Sequence, residues 1–488
     1  DTPLKGLLDT FSRKDSRIKV VQNHKRLRIS DNTNAGLMKA EGDWIVFADH
    51  DDLLTQDALY EVAREIHAFP ETEFIYSDED KYLPGDIPGE PNFKPDFSPD
   101  FLTSVNYICH LVAVKRELLE RTGMLNPEYD GAQDYDFVLR CTEHTRAVRH
   151  IPKVLYHWRW TENSTAADPK AKDYAFTAGA RAVKAHLDRM GIKASVTGGI
   201  HAGTYTVREE IEGEPLISVI IPNKDHIDDL TRAVGSVNEK STYRNLEFII
   251  VENNSTEDET WAGYDALTGK YSNVRIVRYE GAFNYSAINN LGVTFARGTY
   301  LLFLNNDTEI IAGDSIRNML GVCQRADVGA VGARLYFEDG TIQHAGVVLG
   351  YGGIAGHAFR EFGAEEAGYQ NRILLRQNVS AVTAACMLVK RKLFEDIGGF
   401  CEELAVAFND IDLCMKITAA GRYVVYEPGA EFYHYESKSR GYEDTPERQA
   451  RFMNEVRVFK ERWKKELDAG DPYYNPNLTL ERPDFTLK

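Results

Sequence analysis

Much of this sequence is written twice, and that repeat constrains the fold more than any other feature. Arg17-Ile18-Lys19-Val20-Val21 and Asn273-Val274-Arg275-Ile276-Val277 each read as a short apolar strand. Each leads to an Asn-rich helix start, Asn32-Thr33-Asn34-Ala35-Gly36 in one half and Ile288-Asn289-Asn290-Leu291-Gly292 in the other. Gly42-Asp43-Trp44-Ile45-Val46-Phe47 then answers Gly298-Thr299-Tyr300-Leu301-Leu302-Phe303. Both runs end in an acidic turn, Asp49-His50-Asp51-Asp52 and Asn305-Asn306-Asp307, and Asn34 to Asp51 and Asn290 to Asp307 are both 17 residues apart.

A second block follows. Val112 to Leu118 matches Met387 to Leu393, each leading through Gly to an acidic helix start, Gln133-Asp134-Tyr135-Asp136 and Asn409-Asp410-Ile411-Asp412. Each copy closes on a strand bearing histidine, Tyr156-His157-Trp158 and Tyr433-His434-Tyr435. The offset between copies is 256 in the first block and 275 in the second, so the second half carries about 19 extra residues, expected in Asp339 to Gly368.

The halves differ at their starts. Leu216 to Pro222 is a continuous apolar run ended by Pro, which reads as a buried parallel strand. A helix signal at Asp228 to Val237 and a second apolar strand, Leu246 to Val251, follow. Alternating strand and helix predicts α/β layers around a mostly parallel sheet, in two tandem domains. At the 256 offset Asp1 aligns with Glu257, so the first copy is expected to lack its first two strands, the nucleotide-binding edge of such a sheet. The opening Asp1-Thr2-Pro3, with no initiator Met, reads as an interrupted amino terminus. Expected boundaries are 1–170 for the truncated domain, 171–214 for a helix and connector, 215–445 for the complete domain, and 446–488 for a charged helix and a polar tail.

The net charge of -18 argues against a nucleic-acid partner. The six cysteines show no zinc spacing and read as reduced, buried thiols. There is neither an apolar run of membrane-spanning length nor a signal peptide, which points to a cytoplasmic protein, free or peripheral at the inner face of the membrane.

Asp307 follows a strand at the carboxyl edge of the sheet, where ligands bind in open parallel sheets. It reads either as a ligand of Mg²⁺ or Mn²⁺ or as a turn cap. Asp49, Asp51 and Asp52, crowded together, favour the metal reading in the first copy. At the later helix start, one of Asp410 and Asp412 is expected to cap and the other to serve as general base. His434 reads as a structural residue or a metal ligand, and its repetition at His157 favours the latter.

In this order the residues resemble family 2 glycosyltransferases of the GT-A fold, over nearly the whole chain, and in particular the transferases of bacterial surface polysaccharide and O-antigen assembly. The resemblance implies a nucleotide-sugar donor, a glycan or lipid-linked glycan acceptor, and an inverting displacement. It maps the metal ligands to Asp307 and His434, and to Asp51 and His157 in the first copy. The base maps to Asp410, with Asp134 as its counterpart. Donor contacts map to Pro222, Lys224, Asp225, Glu252, Asn253, Asn289, Asn305 and Asn306, to Asp49 in the first copy, and to Lys438 and Arg440 closing over phosphates. Asn305 and Asn409 stand where the family pattern carries acids, and Glu252 where Asp is usual. Those replacements favour the alternative of a non-catalytic scaffold or glycan-binding protein. A nucleotidyltransferase would need a Gly-rich basic loop, which Pro222-Asn223-Lys224-Asp225 does not resemble, and no Gln-x-x-Arg-Trp motif of processive synthases is present. Gln343-His344-Ala345-Gly346, running on to His357, reads equally as an acceptor loop or lid and as a plain Gly-rich connection.

Overall fold

The computed structural model describes residues 2–83, 87–159, 169–436, 445–482 and 484–488. They group into two compact units, Asp1–Phe97 with Val105–Tyr205, and Ser98–Ser104 with Thr206–Lys488. All six cysteines are free.

The first unit holds β1 (Trp44–Phe47), β2 (Leu53–Leu54), β3 (Phe74–Leu83), β4 (Ile87–Asn92), β5 (Val112–Lys115) and β6 (Val148–Arg159). Its strand order is β1-β5-β3-β6-β2, with β4 beside β3. Only β3 and β6 run parallel. Two short strands, β7 (Ala194–Gly198) and β8 (Tyr205–Glu209), come next in the chain.

The second unit repeats that order and extends it. Its strands are β9 (Ile217–Asn223), β10 (Leu246–Glu252), β11 (Val274–Arg278), β12 (Tyr300–Leu304), β13 (Thr308–Ile310), β14 (Val328–Tyr336), β15 (Ile342–His344), β16 (Val347–Leu349), β17 (Ala355–His357), β18 (Gln377–Asn378), β19 (Cys386–Lys390) and β20 (Tyr423–His434). The order is β11-β10-β9-β12-β19-β14-β20-β13. The stretch β12-β19-β14-β20-β13 is thus the counterpart of β1-β5-β3-β6-β2. The added strands β11, β10 and β9 run parallel to one another and to β12. Parallel strands covered on both faces must be apolar throughout, and every residue of β10 is buried. Its one interior acid, Glu247, is satisfied by Ser218 Oγ at 2.6 Å and by Arg297 N and Nε, each at 2.7 Å.

The helix Ile227–Lys240 covers one face through Leu230, Ala233, Val234 and Val237, a spacing that places all four on one stripe. Each fully buried Leu or Val there contributes roughly 1.5–3 kcal/mol. The helix Tyr285–Phe295 approaches the sheet closely at Gly292, where a Cβ would lie 2.6 Å from Ile220 Cγ2 and 2.9 Å from Val251 Cγ2.

The helices Thr2–Lys14 and Asp258–Lys270 stand at the 256-residue offset. The strand expected at Arg17 to Val21 is absent, because its counterpart β11 hydrogen-bonds to β10 and the first unit offers no such neighbour. The extra residues of the second half lie between β14 and β19, where β15 pairs with β14 as β4 does with β3, and β16, β17 and β18 are added. The tail, expected on the surface or loosely ordered, buries Tyr474, Leu478 and Phe485, and Phe485 stacks on Phe359 with ring centroids 4.6 Å apart. The repeat also extends further than its motifs: the helices Pro169–Arg189 and Pro446–Arg462 follow the histidine strands of their respective units. No helix among the described residues is long and apolar enough to cross a membrane.

Candidate active site

The second unit gathers its polar residues where β12 ends. The turn Asn305-Asn306-Asp307 leads directly into β13, whose Thr308 lies opposite His434 at the end of β20. That register brings Asp307 Oδ1 to 3.2 Å from His434 Nε2. Asn305 Nδ2 lies 3.1 Å from the same nitrogen. Asp307 is buried, and its Oδ1 has no hydrogen-bond partner. Burial pushes the Asp307 carboxyl up, but His434, and beyond it Arg232, hold it below the usual carboxylate range. Arg232 itself lies over the Tyr435 ring, 4.1 Å from its centroid.

One backbone turn joins this acidic turn to the helix Asn409–Ala419. Asn305 N donates to Ala385 O at 3.0 Å, and Ala384 N donates to Asp410 Oδ2 at 3.2 Å. Asp410 Oδ1 accepts from Ile411 N at 2.9 Å. Asp412 is fully buried, and its Oδ1 accepts from Arg462 Nη1 and Trp463 Nε1, each at 2.9 Å. Glu455 accepts from Val406 N at 3.0 Å and Ala407 N at 3.1 Å, which holds the approach to Asp410. Asn409 donates to the Val406 carbonyl at 3.1 Å, a bond within its own turn.

The expected donor residues divide. Pro222 and Lys224 lie at the end of β9, Lys224 exposed. Asn306 donates to Asn223 Oδ1 at 2.7 Å, and Asn223 donates to the Tyr264 hydroxyl at 2.7 Å. Asp225 accepts from Thr256 N at 2.8 Å and Glu257 N at 3.1 Å, and these bonds hold its carboxyl low against burial. Glu252 accepts from Ser255 N, Asn253 donates to the Tyr279 and Gly281 carbonyls, and Asn289 donates to the Tyr285 carbonyl. These bonds run to backbone, while the buried Asn289 Oδ1 has no hydrogen-bond partner. Lys438 and Arg440 lie outside the described residues.

The extra segment contributes residues to which the sequence assigned no definite role. His344 and His357 meet Nδ1 to Nδ1 at 3.1 Å, His344 fully buried. Burial, with His357 and His434 adding to it, holds His344 well below the usual range; burial also lowers His357, against the opposing charge of Asp410. Gln343 contacts His434. No strong motif marked Gln343, Asn223 or Arg232; the one signal for Asn223 is a polar residue closing an apolar strand.

The first unit does not reproduce this arrangement. His157 Nδ1 pairs with Asp80 Oδ1 at 2.5 Å. Asp51 has a 53% exposed side chain, 3.6 Å from His50, and makes no ion pair with His157. Register also changes the correspondence: Leu53 lies opposite His157, so Asp52, not Asp51, immediately precedes the facing residue. Asp52 is already engaged, accepting from Arg159 N at 2.8 Å and from the Tyr156 hydroxyl. Asp49 is exposed, and Asp134 accepts from Asn106 Nδ2 at 3.4 Å.

Among the described residues no group of three or more His, Cys, Asp or Glu side chains converges to hold a metal ion. Asp307 and His434 supply two donors, one of them an unpartnered buried oxygen. That set fits a Mg²⁺- or Mn²⁺-like ion whose remaining ligands are water and substrate phosphates.

The second unit joins a parallel sheet edge to this acidic turn, and the first unit carries the turn without the edge, which is the tandem layout of a glycosyltransferase-type chain. The model of Glycosyl transferase family 2 matches residues 3–123 and 218–398, and the chain belongs to that family. It is 46% identical to the uncharacterized protein y4gI of Sinorhizobium fredii, over 100% of this chain and 54% of that protein. It is 37% identical to the O-antigen biosynthesis protein RfbC of Myxococcus xanthus, over 99% of this chain and 38% of that protein. The chain therefore spans about half or less of the length of these curated relatives. A solved mannosyltransferase from Pyrobaculum calidifontis, in complex with GDP-Man and Mn²⁺, is similar at 17% identity, covering 53% of this chain and 69% of that one with a TM-score of 0.39.

Proposed function

We propose that the second unit is a metal-dependent, inverting glycosyltransferase. It moves a sugar from a nucleotide-diphospho-sugar to a hydroxyl of a glycan or lipid-linked glycan. The observation that carries this reading is the facing pair Asp307 Oδ1 and His434 Nε2, linked through Ala384-Ala385 to Asp410. Asp410 takes the proton from the acceptor hydroxyl as that hydroxyl attacks the anomeric carbon. Asp307 and His434 hold the divalent ion, Mg²⁺ or Mn²⁺, which when bound supplies positive charge to the leaving diphosphate. Asn306 and Asn223 brace the acidic turn against the end of β9, with Lys224 exposed beside the donor phosphates and Lys438 and Arg440 following His434 in sequence. The neutral pair His344 and His357 puts no positive charge beside Asp410, which leaves the base free to act on a hydroxyl.

The setting we propose is surface polysaccharide assembly of the O-antigen kind, in the cytoplasm or at the inner face of the membrane. This rests on the name of the Myxococcus relative. For the first unit we favour the non-catalytic reading, since Asp51 stands apart from His157 and Asp52 is engaged by Arg159 N and the Tyr156 hydroxyl.

The test is a screen of nucleotide sugars for release of nucleoside diphosphate with Mn²⁺, and with a chelator. Release with one donor, abolished by the chelator, is expected. No release with any donor, alone or with glycan acceptors, would sink the enzymatic reading.

A further inference from the structure

One side chain decides how the His434 ring presents itself. Gln343, in β15, directs Oε1 to His434 Nδ1 at 2.6 Å. Its amide nitrogen faces acceptors, the His434 carbonyl at 3.2 Å and the Glu436 carboxylate at 3.4 Å. The amide is therefore satisfied in one orientation, with NH₂ toward the two acceptors and the oxygen toward the ring. An amide oxygen cannot donate, so the proton between them sits on Nδ1. Whenever the ring is neutral, its lone pair is therefore on Nε2.

That lone pair faces Asp307 Oδ1 across 3.2 Å. Both atoms are electron-rich, and the Asp307 oxygen is buried with no hydrogen-bond partner. Asn305 Nδ2, at 3.1 Å, approaches only the ring nitrogen. A carboxylate oxygen and an imidazole nitrogen held this close out of water call for a positive charge shared between them, which a bound proton or a divalent ion supplies.

We propose that Gln343 is a positioning residue for a divalent-metal site. It fixes the Nδ1–H form of His434 and aims Nε2, together with Asp307 Oδ1, at one ion. This rests on the metal reading above and adds to it a residue that never touches the ion. Metal-binding histidines commonly donate their other ring nitrogen to such a partner, which orients the ring and raises its basicity. The first unit ties the same nitrogen of His157 to Asp80, from a different strand, while both oxygens of Asp52 are taken by Arg159 N and the Tyr156 hydroxyl. The anchor survives there without the second ligand.

The experiment titrates the chain with Mn²⁺, alone and with UDP or GDP, following the free aquo-ion signal by electron paramagnetic resonance. Wild type, Gln343→Met and Gln343→Glu are compared, with melting curves in chelator as the folding control. Gln343→Met is expected to weaken Mn²⁺ binding roughly 10–100-fold at an unchanged melting point. Gln343→Glu, which still accepts from Nδ1–H, is expected to restore most of the affinity. Equal Mn²⁺ affinity of wild type and Gln343→Met would overturn the proposal, as would Gln343→Glu binding no better than Gln343→Met. Failure of the wild type to bind Mn²⁺ under any of these conditions would remove the metal reading itself, and Gln343 with it. In metal-free protein, ¹⁵N-histidine spectra assigned against His434→Ala should report the Nδ1–H form; an Nε2–H form would also overturn it.

Discussion

Two helices stand 256 residues apart at the same place in their units, and they meet opposite surroundings. Leu4, Leu8 and Phe11 of Thr2–Lys14 are 54%, 38% and 48% exposed, whereas their counterparts Thr260, Tyr264 and Leu267 are 0%, 3% and 3% exposed. Gly36 has nothing within 4 Å of a built Cβ, while its counterpart Gly292 would strike Ile220 and Val251. Gly292 meets β9 and β10, and the helix Asp258–Lys270 packs on β11 and the helix Ile227–Lys240. The comparison teaches that core membership in this fold is conferred by the parallel edge and not by the residue. The same edge gives the second unit Asn223, which braces its acidic turn.

The comparison can be broken most decisively at the paired base positions. Asp410→Asn is expected to lower turnover roughly 10²–10⁴-fold, with metal-dependent nucleotide binding kept. Asp134→Asn in the same full chain should leave turnover unchanged. Comparable losses from both would mean that both units work. Next come the ligand positions: Asp307→Ala should abolish Mn²⁺-dependent nucleotide binding in calorimetry, and Asp51→Ala should not alter it. Packing offers a smaller contrast. Leu267→Ala should cost about 2–5 kcal/mol in denaturant unfolding, and Phe11→Ala should stay within about 0.5 kcal/mol. A large cost at Phe11 would mean that something covers that face in solution. The smallest contrast is an expected equality. Asn34 clamps Leu125 through N–H and carbonyl at 3.0 and 2.8 Å, and Asn290 clamps Phe400 the same way, both at 3.0 Å. Replacing either by Ala should cost about 1–3 kcal/mol.

The repeat and its offsets were legible because they are written in residue identity. The apolar strands Ile217 to Pro222 and Leu246 to Val251 were legible because strands buried on both faces admit few polar residues. Register was not. The equal spacing of 17 pointed to Asp51, yet the residues facing the two histidines, Leu53 and Thr308, show that the first turn is one residue longer than the second. A one-residue slip in a strand sends a side chain to the other face. The partners of Asn253 were also illegible, since it binds backbone at Tyr279 and Gly281 whose position only the fold supplies. Gln343 stood in a stretch that reads as a loop, lid or plain connection, and its role was illegible because it depends on the atom it meets across the sheet, 91 residues away.

Asp412 carries a further consequence. It is fully buried, and its partners Arg462 and Trp463 lie beyond the last strand of the sheet, as does Glu455, which holds the turn before Asp410. A gene segment ending at Tyr435 would therefore encode every strand of the second sheet and still leave the Asp412 carboxylate with Lys416 but without Arg462 and Trp463. In the first unit, Glu143 of the matching helix reaches likewise to His186 and Arg189 in the helix that follows its own sheet. Duplication, shuffling or trimming of such a unit must carry its trailing helix along, so the heritable module is longer than the sheet that performs the chemistry.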